Sequence, residues 1–168
     1  DENTKKWFRP SDVAIGTDGA IYVADWYDPI VGGHQMMDSV GYGRIYRIAP
    51  KNKKLITPEI DLDQTSGQIA AFLNPAINVR NQGFEQLKAQ GSEILPELMK
   101  LLESENPYHR ARTVWLLGQL GREGIDKIVG LLGDHDPQIR ITALRVLRQV
   151  DSGHLLAYAD RIADDPSP

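Results

Sequence analysis

The chain has 168 residues, a formal net charge of −4, 41% hydrophobic residues and no cysteine. Without cysteine there is no disulfide framework, thiolate metal site, thiol nucleophile or covalently attached c-type haem. No apolar run approaches the roughly 20 residues of a membrane span. The mild acidity supplies no basic stripe for a phosphate backbone, so nucleic acid is not an expected partner.

In chain order, the first elements read as strands. Val13-Ala14-Ile15 and Ala20-Ile21-Tyr22-Val23-Ala24 flank Gly16-Thr17-Asp18-Gly19, and an Asp-Gly between two β-rich runs marks a hairpin. A third strand, Arg44-Ile45-Tyr46-Arg47-Ile48, alternates polar and apolar residues. The loop from Asp28 to Tyr42 has a length that usually signals function or disorder. Three strands bury little core, so the meander over residues 1–50 is expected to belong to something larger, or to dock on the helices that follow. Residues 51–65, with Pro58 and few apolar side chains, read as a linker.

From residue 66 to 168 the sequence repeats. Arg80, Arg110 and Arg140 stand thirty residues apart, and Leu87/Leu117/Leu147, Leu98/Ile128/Tyr158 and Leu102/Leu132/Ile162 fall into register with them. Apolar residues recur at helical spacing within each unit, as expected of a stacked array in which neighbours bury one another's stripes. Each unit opens on an Asx-Pro pair (Asn74-Pro75, Asn106-Pro107, Asp136-Pro137), an N-cap followed by a proline at the first helical position. Leu120-Gly121 is expected to end the first helix of its unit on a left-handed glycine. Gly91 shares that column, and Asp151 occupies it in the third unit. The first unit departs from the pattern: two extra residues separate Pro75 from Arg80. A short helix over Ser66–Leu73 precedes the array. Asp164-Asp165-Pro166 reads as the opening of a fourth unit and Asp1 as a processed end, so a longer parent is expected.

Asp136-Pro137-x-x-Arg140-x-x-Ala143-Leu144, Asn106-Pro107-x-x-Arg110 and Leu117-Gly118-x-Leu120-Gly121 resemble HEAT repeats of the short, roughly thirty-residue phycobilisome-lyase type. The expected fold is therefore mainly α, a HEAT-like helical solenoid behind a small N-terminal antiparallel β-meander. Arg9-Pro10-Ser11-Asp12-Val13, Gly16-x-Asp18-Gly19-x-Ile21-Tyr22-Val23-Ala24-Asp25-Trp26-Tyr27 and Gly43-Arg44-Ile45-Tyr46-Arg47-Ile48 resemble the last blade of a sorbosone/glucose dehydrogenase-like β-propeller. In large bacterial proteins of that kind, HEAT-like repeats and then a c-type cytochrome domain follow the propeller. The resemblance implies a periplasmic or cell-surface parent using pyrroloquinoline quinone and haem c, neither held by this chain. It also implies protein partners, namely other domains of the parent, a cytochrome domain among them.

The candidate binding residues are Asp25, Trp26, Tyr27, His34 and Arg44, with Asp25 and His34 raised above the others by the resemblance. Trp26 and Tyr27 suit either a sugar-stacking platform or a blade core, the latter favoured. Asp12, Asp18 and Asp25 lack the spacing of a calcium loop, and Asp18 is explained by the turn. Arg80, Arg110 and Arg140 form a ladder expected to bond carboxylates or helix-end carbonyls of adjacent units, with Asn74, Asn106 and Asp136 as caps. His109, His135 and His154 do not converge by spacing, and Trp115 is expected in the core. No Ser-His-Asp order, phosphate loop or His-Glu-x-x-His is present. The expected role is a non-catalytic scaffold; the alternative is a contribution of Asp25, His34 and Arg44 to a quinone-dependent sugar dehydrogenase site completed by further blades.

Overall fold

The structure, a computed structural model, describes residues 8–26 and 43–167. Tyr27, His34 and the rest of the Asp28–Tyr42 loop lie outside the described residues. By their contacts the residues fall into two units, one up to Gln82 and one from Gly83 onward.

The first unit begins with the predicted meander: β1 (Pro10–Ile15), β2 (Ile21–Asp25) and β3 (Arg44–Ile48), antiparallel in the order β1-β2-β3. Its first turn closes through Gly16 N donating to the Ala20 carbonyl at 2.8 Å and Gly19 N to the Gly16 carbonyl at 2.9 Å. Gly19 takes a φ of 82°, the conformation for which glycine is needed. Asp18 caps the turn by accepting from Ala20 N at 2.9 Å, and the Arg47 guanidinium closes on its other oxygen from β3. The register places Ile15, Ile21 and Ile48 in one cross-strand row and Val13, Val23 and Tyr46 in the next. Alternation puts both rows on one face, which is apolar over these six residues and ends in the Asp25–Arg44 row. β1 and β3 are exposed along their whole length, so that face lacks the cover a three-stranded sheet needs for stability of its own.

Residues 49–64 form no helix or strand. α1 (Thr65–Leu73) and the start of α2 (Ile77–Ala89) complete this unit. α1 holds the preceding segment closely: a Cβ on Gly67 would stand 1.8 Å from the Asp61 carbonyl oxygen, and Gln68 donates to the Leu62 carbonyl at 2.8 Å. The two extra residues after Pro75 have a visible consequence. α2 opens at Ile77, whereas α4 (Pro107–Leu117) and α6 (Pro137–Val150) open on their prolines as expected.

The second unit carries α3 (Leu95–Leu102), α4, α5 (Gly121–Gly130), α6 and α7 (Leu155–Asp160), the first and second helices of successive repeats. α3 packs on α4, α4 on α5 and α6, and α6 on α5 and α7. The thirty-residue columns are the core: Leu87, Leu117 and Leu147 are fully buried, as are Leu98 and Ile128, with Tyr158 closing their column. Each such leucine contributes about 1.5–3 kcal/mol of burial. Gly83, Thr113 and Ala143 form a further buried column of small residues that lets first helices approach their neighbours. The hydroxyl of Thr113 is satisfied by the His109 carbonyl at 2.9 Å.

The turn glycines sit elsewhere than expected. α4 ends at Leu117 with Gly118 in right-handed geometry. Gly121, with φ 68°, launches α5, and Gly91, with φ 62°, launches the short 3-10 turn Gly91–Ile94 before α3. The left-handed residue reverses the chain at the entry to the second helix and does not cap the first. Asp151 occupies the same column at φ −144° and holds its turn by side-chain bonds, to His154 at 2.8 Å and to the Tyr158 hydroxyl. Trp115 is a second correction: it is 38% exposed. It follows the buried Val114 by one position, about 100° around the helix, and so faces outward.

Two glycines of α5 separate packing from propensity. A Cβ on Gly124 would lie 2.0 Å from the Leu117 carbonyl oxygen, whereas one on Gly130 meets nothing within 4 Å. Gly124→Ala is expected to destabilise by about 1–3 kcal/mol, and Gly130→Ala to stabilise by up to about 1 kcal/mol through helix propensity. Urea unfolding of the two variants, followed by helix circular dichroism, checks the opposite signs.

Candidate functional site

At the loop end of the sheet the register sets Asp25 opposite Arg44. Asp25 is 7% exposed, and its Oδ1 accepts from the Arg9 backbone N at 2.7 Å. Arg44 donates to the Tyr46 hydroxyl at 3.0 Å; this bond, with Asp25 in electrostatic reach, holds its guanidinium above the usual range. The Tyr46 ring also receives Phe8 edge-on, centroids 5.7 Å apart. Trp26 is 62% exposed, so within this chain it occupies no core. Asp25, Trp26 and Arg44 lie at one end of the sheet, while Tyr27 and His34 lie outside the described residues. Asp18 serves the turn, its carboxyl held low first by the Arg47 bond and then by Ala20 N. Among the described residues no three His, Asp or Glu side chains group to hold a metal ion.

The Asx residues form the most ordered polar constellation. Each uses one side-chain atom to cap the helix that follows and another to reach a different partner. Asn74 accepts from Ala76 N at 2.8 Å and donates from its amide nitrogen to the Thr17 carbonyl at 3.2 Å, pinning the hairpin to the helices. Asn106 accepts from Tyr108 N at 3.0 Å, and its amide nitrogen meets His109 at 3.2 Å. Asp136 accepts from Gln138 N at 2.9 Å, and its second oxygen receives Arg110. Asp165 repeats the motif: its Oδ1 accepts from Ser167 N at 2.9 Å, and its carboxylate takes Arg140 through two bonds of 2.6 Å.

The Arg ladder is the other half of this arrangement. Arg110 donates to the Ser104 carbonyl and Arg140 to the Asp134 carbonyl, both at 2.9 Å, before bonding the carboxylate of the following Asx residue. Arg80 donates to the Pro75 carbonyl at 3.3 Å. The carboxyls respond accordingly. Asp136 is held below the ordinary range by Gln138 N and then Arg110; Asp165 is held far below it by Arg140 and then Ser167. Bidentate pairing and a backbone cap both favour the charged form.

His135 and His154 sit on exposed turns, each against the nearest aspartate, and His109 is held below its usual range by burial and by nearby Arg112. The three do not converge. Two shallow grooves flank the ladder, of about 190 and 340 Å³. They are lined in part by Arg110 and by Arg140 with Asp165, side chains already committed to the ladder. Sequence reasoning placed the caps and the ladder but missed the bond from Asn74 to Thr17. The one signal available was the choice of Asn over Asp.

Residues 95–168 match the family described as HEAT repeats. Residues 2–52, covering the meander, match a family described as a domain of unknown function (DUF7133). No curated protein matches the chain. The C-terminal helices are thus HEAT-like by both sequence family and packing. No helix among the described residues is long and apolar enough to cross a membrane.

The two kinds of Asx give opposite expectations for isosteric exchange. Asp136→Asn keeps the cap, as Asn106 shows, and gives up an ion pair worth less than about 1 kcal/mol; Asp136→Ala loses the cap as well, about 1–2 kcal/mol. Asn74→Asp turns a buried donor into an acceptor facing the Thr17 carbonyl and is expected to destabilise by about 1–3 kcal/mol. The lowered carboxyl of Asp136 contributes stability above the ordinary aspartate range near pH 4, which is lost as pH falls through its folded value. Asp136→Asn therefore flattens the acid limb of stability against pH, as thermal melts between about pH 2 and 7 will show.

Proposed function

We propose that this chain is a non-catalytic scaffold segment of a larger protein, holding protein partners through its helical repeats and serving as a joint between a propeller and a downstream domain. The observation that carries the reading is the HEAT-repeat match over helices whose buried columns and Arg–Asp ladder are devoted to stacking. Stacked arrays of this type present extended surfaces to proteins. The meander supports the parentage: its six-residue apolar face, with Val13 and Ile48 well exposed, suits a sheet that packs on another sheet. The proposed parent is a bacterial dehydrogenase-type protein at the cell surface or in the periplasm, with a cytochrome domain as one partner. Its pyrroloquinoline quinone and haem c belong to parts other than this chain, which has no cysteine for thioether attachment.

A second reading rests on one feature, the nearly buried Asp25 carboxylate set across from Arg44 at the loop end of the sheet. In it, that end contributes side chains to a sugar-oxidising site shared with other blades.

The full-length parent separates the two. Under the scaffold reading, the isolated chain binds the separately produced remainder of the parent in analytical ultracentrifugation. Asp25→Asn in the full protein then leaves quinone-dependent sugar oxidation within about twofold. Loss of that turnover by more than about a hundredfold, with folding and quinone binding unchanged, establishes the second reading instead. Failure of the chain to bind the remainder removes the first.

A further inference from the structure

The helices of the second unit divide their charge unevenly. α3 carries Glu97 and Lys100, which pair with each other at 2.7 Å, and α5 carries Arg122, Glu123, Asp126 and Lys127, with Arg122 and Asp126 paired at 3.0 Å. α3 and α5 are thus balanced and largely self-neutralised. α4 and α6 are different. α4 and α6 together hold Arg110, Arg112, Arg140, Arg145 and Arg148 and no carboxylate, in a chain whose net charge is −4. Arg110 and Arg140 are taken by the ladder. Arg145 and Arg148 are exposed, and among the described residues neither meets a carboxylate.

Large apolar side chains lie beside these cations. Tyr108 is 73% exposed, and Trp115, two turns further along the same side of α4, is partly exposed. On α6, Ile141 is also partly exposed and stands four residues before Arg145 and seven before Arg148, on one helix side. α4 packs directly on α6, and Trp115 and Arg145 occupy the same column one repeat apart. The approach is close at the end of α4, where a Cβ on Gly118 would lie 2.5 Å from Val146 Cγ1. The exposed sides of the two helices therefore form one surface. Exposed Trp, Tyr and Arg together are the residue types that dominate binding energy at protein interfaces.

We infer that the outer face of α4 and α6, centred on Trp115, Arg145 and Arg148, is the docking surface of the scaffold, and that its occupant is an acidic protein segment bearing an aromatic or aliphatic anchor. The inference rests on the scaffold reading above and specifies its face and its partner. Charge complementarity selects the occupant: the Arg145 and Arg148 guanidiniums bind carboxylates bidentately, while Trp115 and Ile141 offer exposed apolar surface to an anchoring side chain. A phosphate backbone fits less well, because two unpaired arginines on an acidic chain fall short of the several phosphate contacts that sustain nucleic-acid binding.

The probe is a synthetic peptide of about twelve glutamates and aspartates around a central Leu-Phe pair, titrated into the isotopically labelled chain and followed by amide and indole shifts. Saturable shifts on α4 and α6 and at the Trp115 indole are expected. Affinity should fall at least about tenfold on Arg145→Glu with Arg148→Glu and on Trp115→Ala, and recover on Trp115→Phe. Raising salt from about 50 to about 300 mM should weaken binding. Unchanged melting temperature of the charge-reversal variant excludes unfolding as the cause. The inference is overturned if a lysine version of the peptide binds equally well, if no shift reaches α4 or α6, or if oligouridine or phosphatidylserine vesicles occupy this face and the peptide does not. Shifts confined to α3, α5 and α7 also overturn it yet leave the scaffold reading intact, since that reading stands or falls on binding to the remainder of the parent.

Discussion

An aspartate or asparagine at the head of a helix has two polar side-chain atoms and needs only one of them to cap. The fold depends on what the other one does. In Asp136 and Asp165 it is a carboxylate oxygen, and it receives the arginine of the repeat before. In Asn74 it is an amide nitrogen, and it donates to a carbonyl of the β-hairpin. The chemistry of the neighbour selects the residue: a guanidinium calls for an acceptor, a peptide oxygen for a donor. Apolar burial supplies most of the free energy of stacking, but it is indifferent to small slips. A cap that also grips the preceding module fixes the register in which the buried columns meet.

The periodic part of this was legible without coordinates. Thirty-residue columns forecast which leucines are buried, and Asx-Pro pairs forecast where α4 and α6 begin, because both follow from local rules of spacing and capping. Features that depend on the approach of two elements were not legible. Gly124 reads as a weak helix residue until the Leu117 carbonyl is found against it. Trp115 reads as core by its bulk, although the arginine that shares its column in the next repeat marks the outer side. The glycine at the chain reversal was correctly expected to be left-handed, but its position relative to the helix boundary depends on how many residues the reversal takes. The pairing of Asp25 with Arg44 depends on the β2–β3 register across a long loop, which strand pattern alone leaves open.

The two units pose complementary problems of cover. The sheet hides little of its apolar face with what the first unit provides, whereas the helices of the second hide theirs on one another. What the helices leave outside is asymmetric: a self-neutralised side on α3 and α5, and an arginine-rich, aromatic side on α4 and α6. A surface patterned in this way discriminates by charge before it discriminates by shape.

Asp151 shows how one turn can be rebuilt with different physics. Where two repeats use a glycine conformation that no proton can alter, the third uses a carboxylate shared between Tyr158 and His154 and held ionised below the usual range, first by the tyrosine hydroxyl and then by the histidine. Its stabilising effect is full above the ordinary aspartate range and fades as pH falls through the lowered value. The layers therefore differ in their response to acid: those joined by Gly91 and Gly121 have turns blind to it, while the α6–α7 layer carries a titrating turn and the Arg140–Asp165 clamp. Acid thus acts on the turn into α7 and on both Arg–Asp clamps, and leaves the turns at Gly91 and Gly121 untouched.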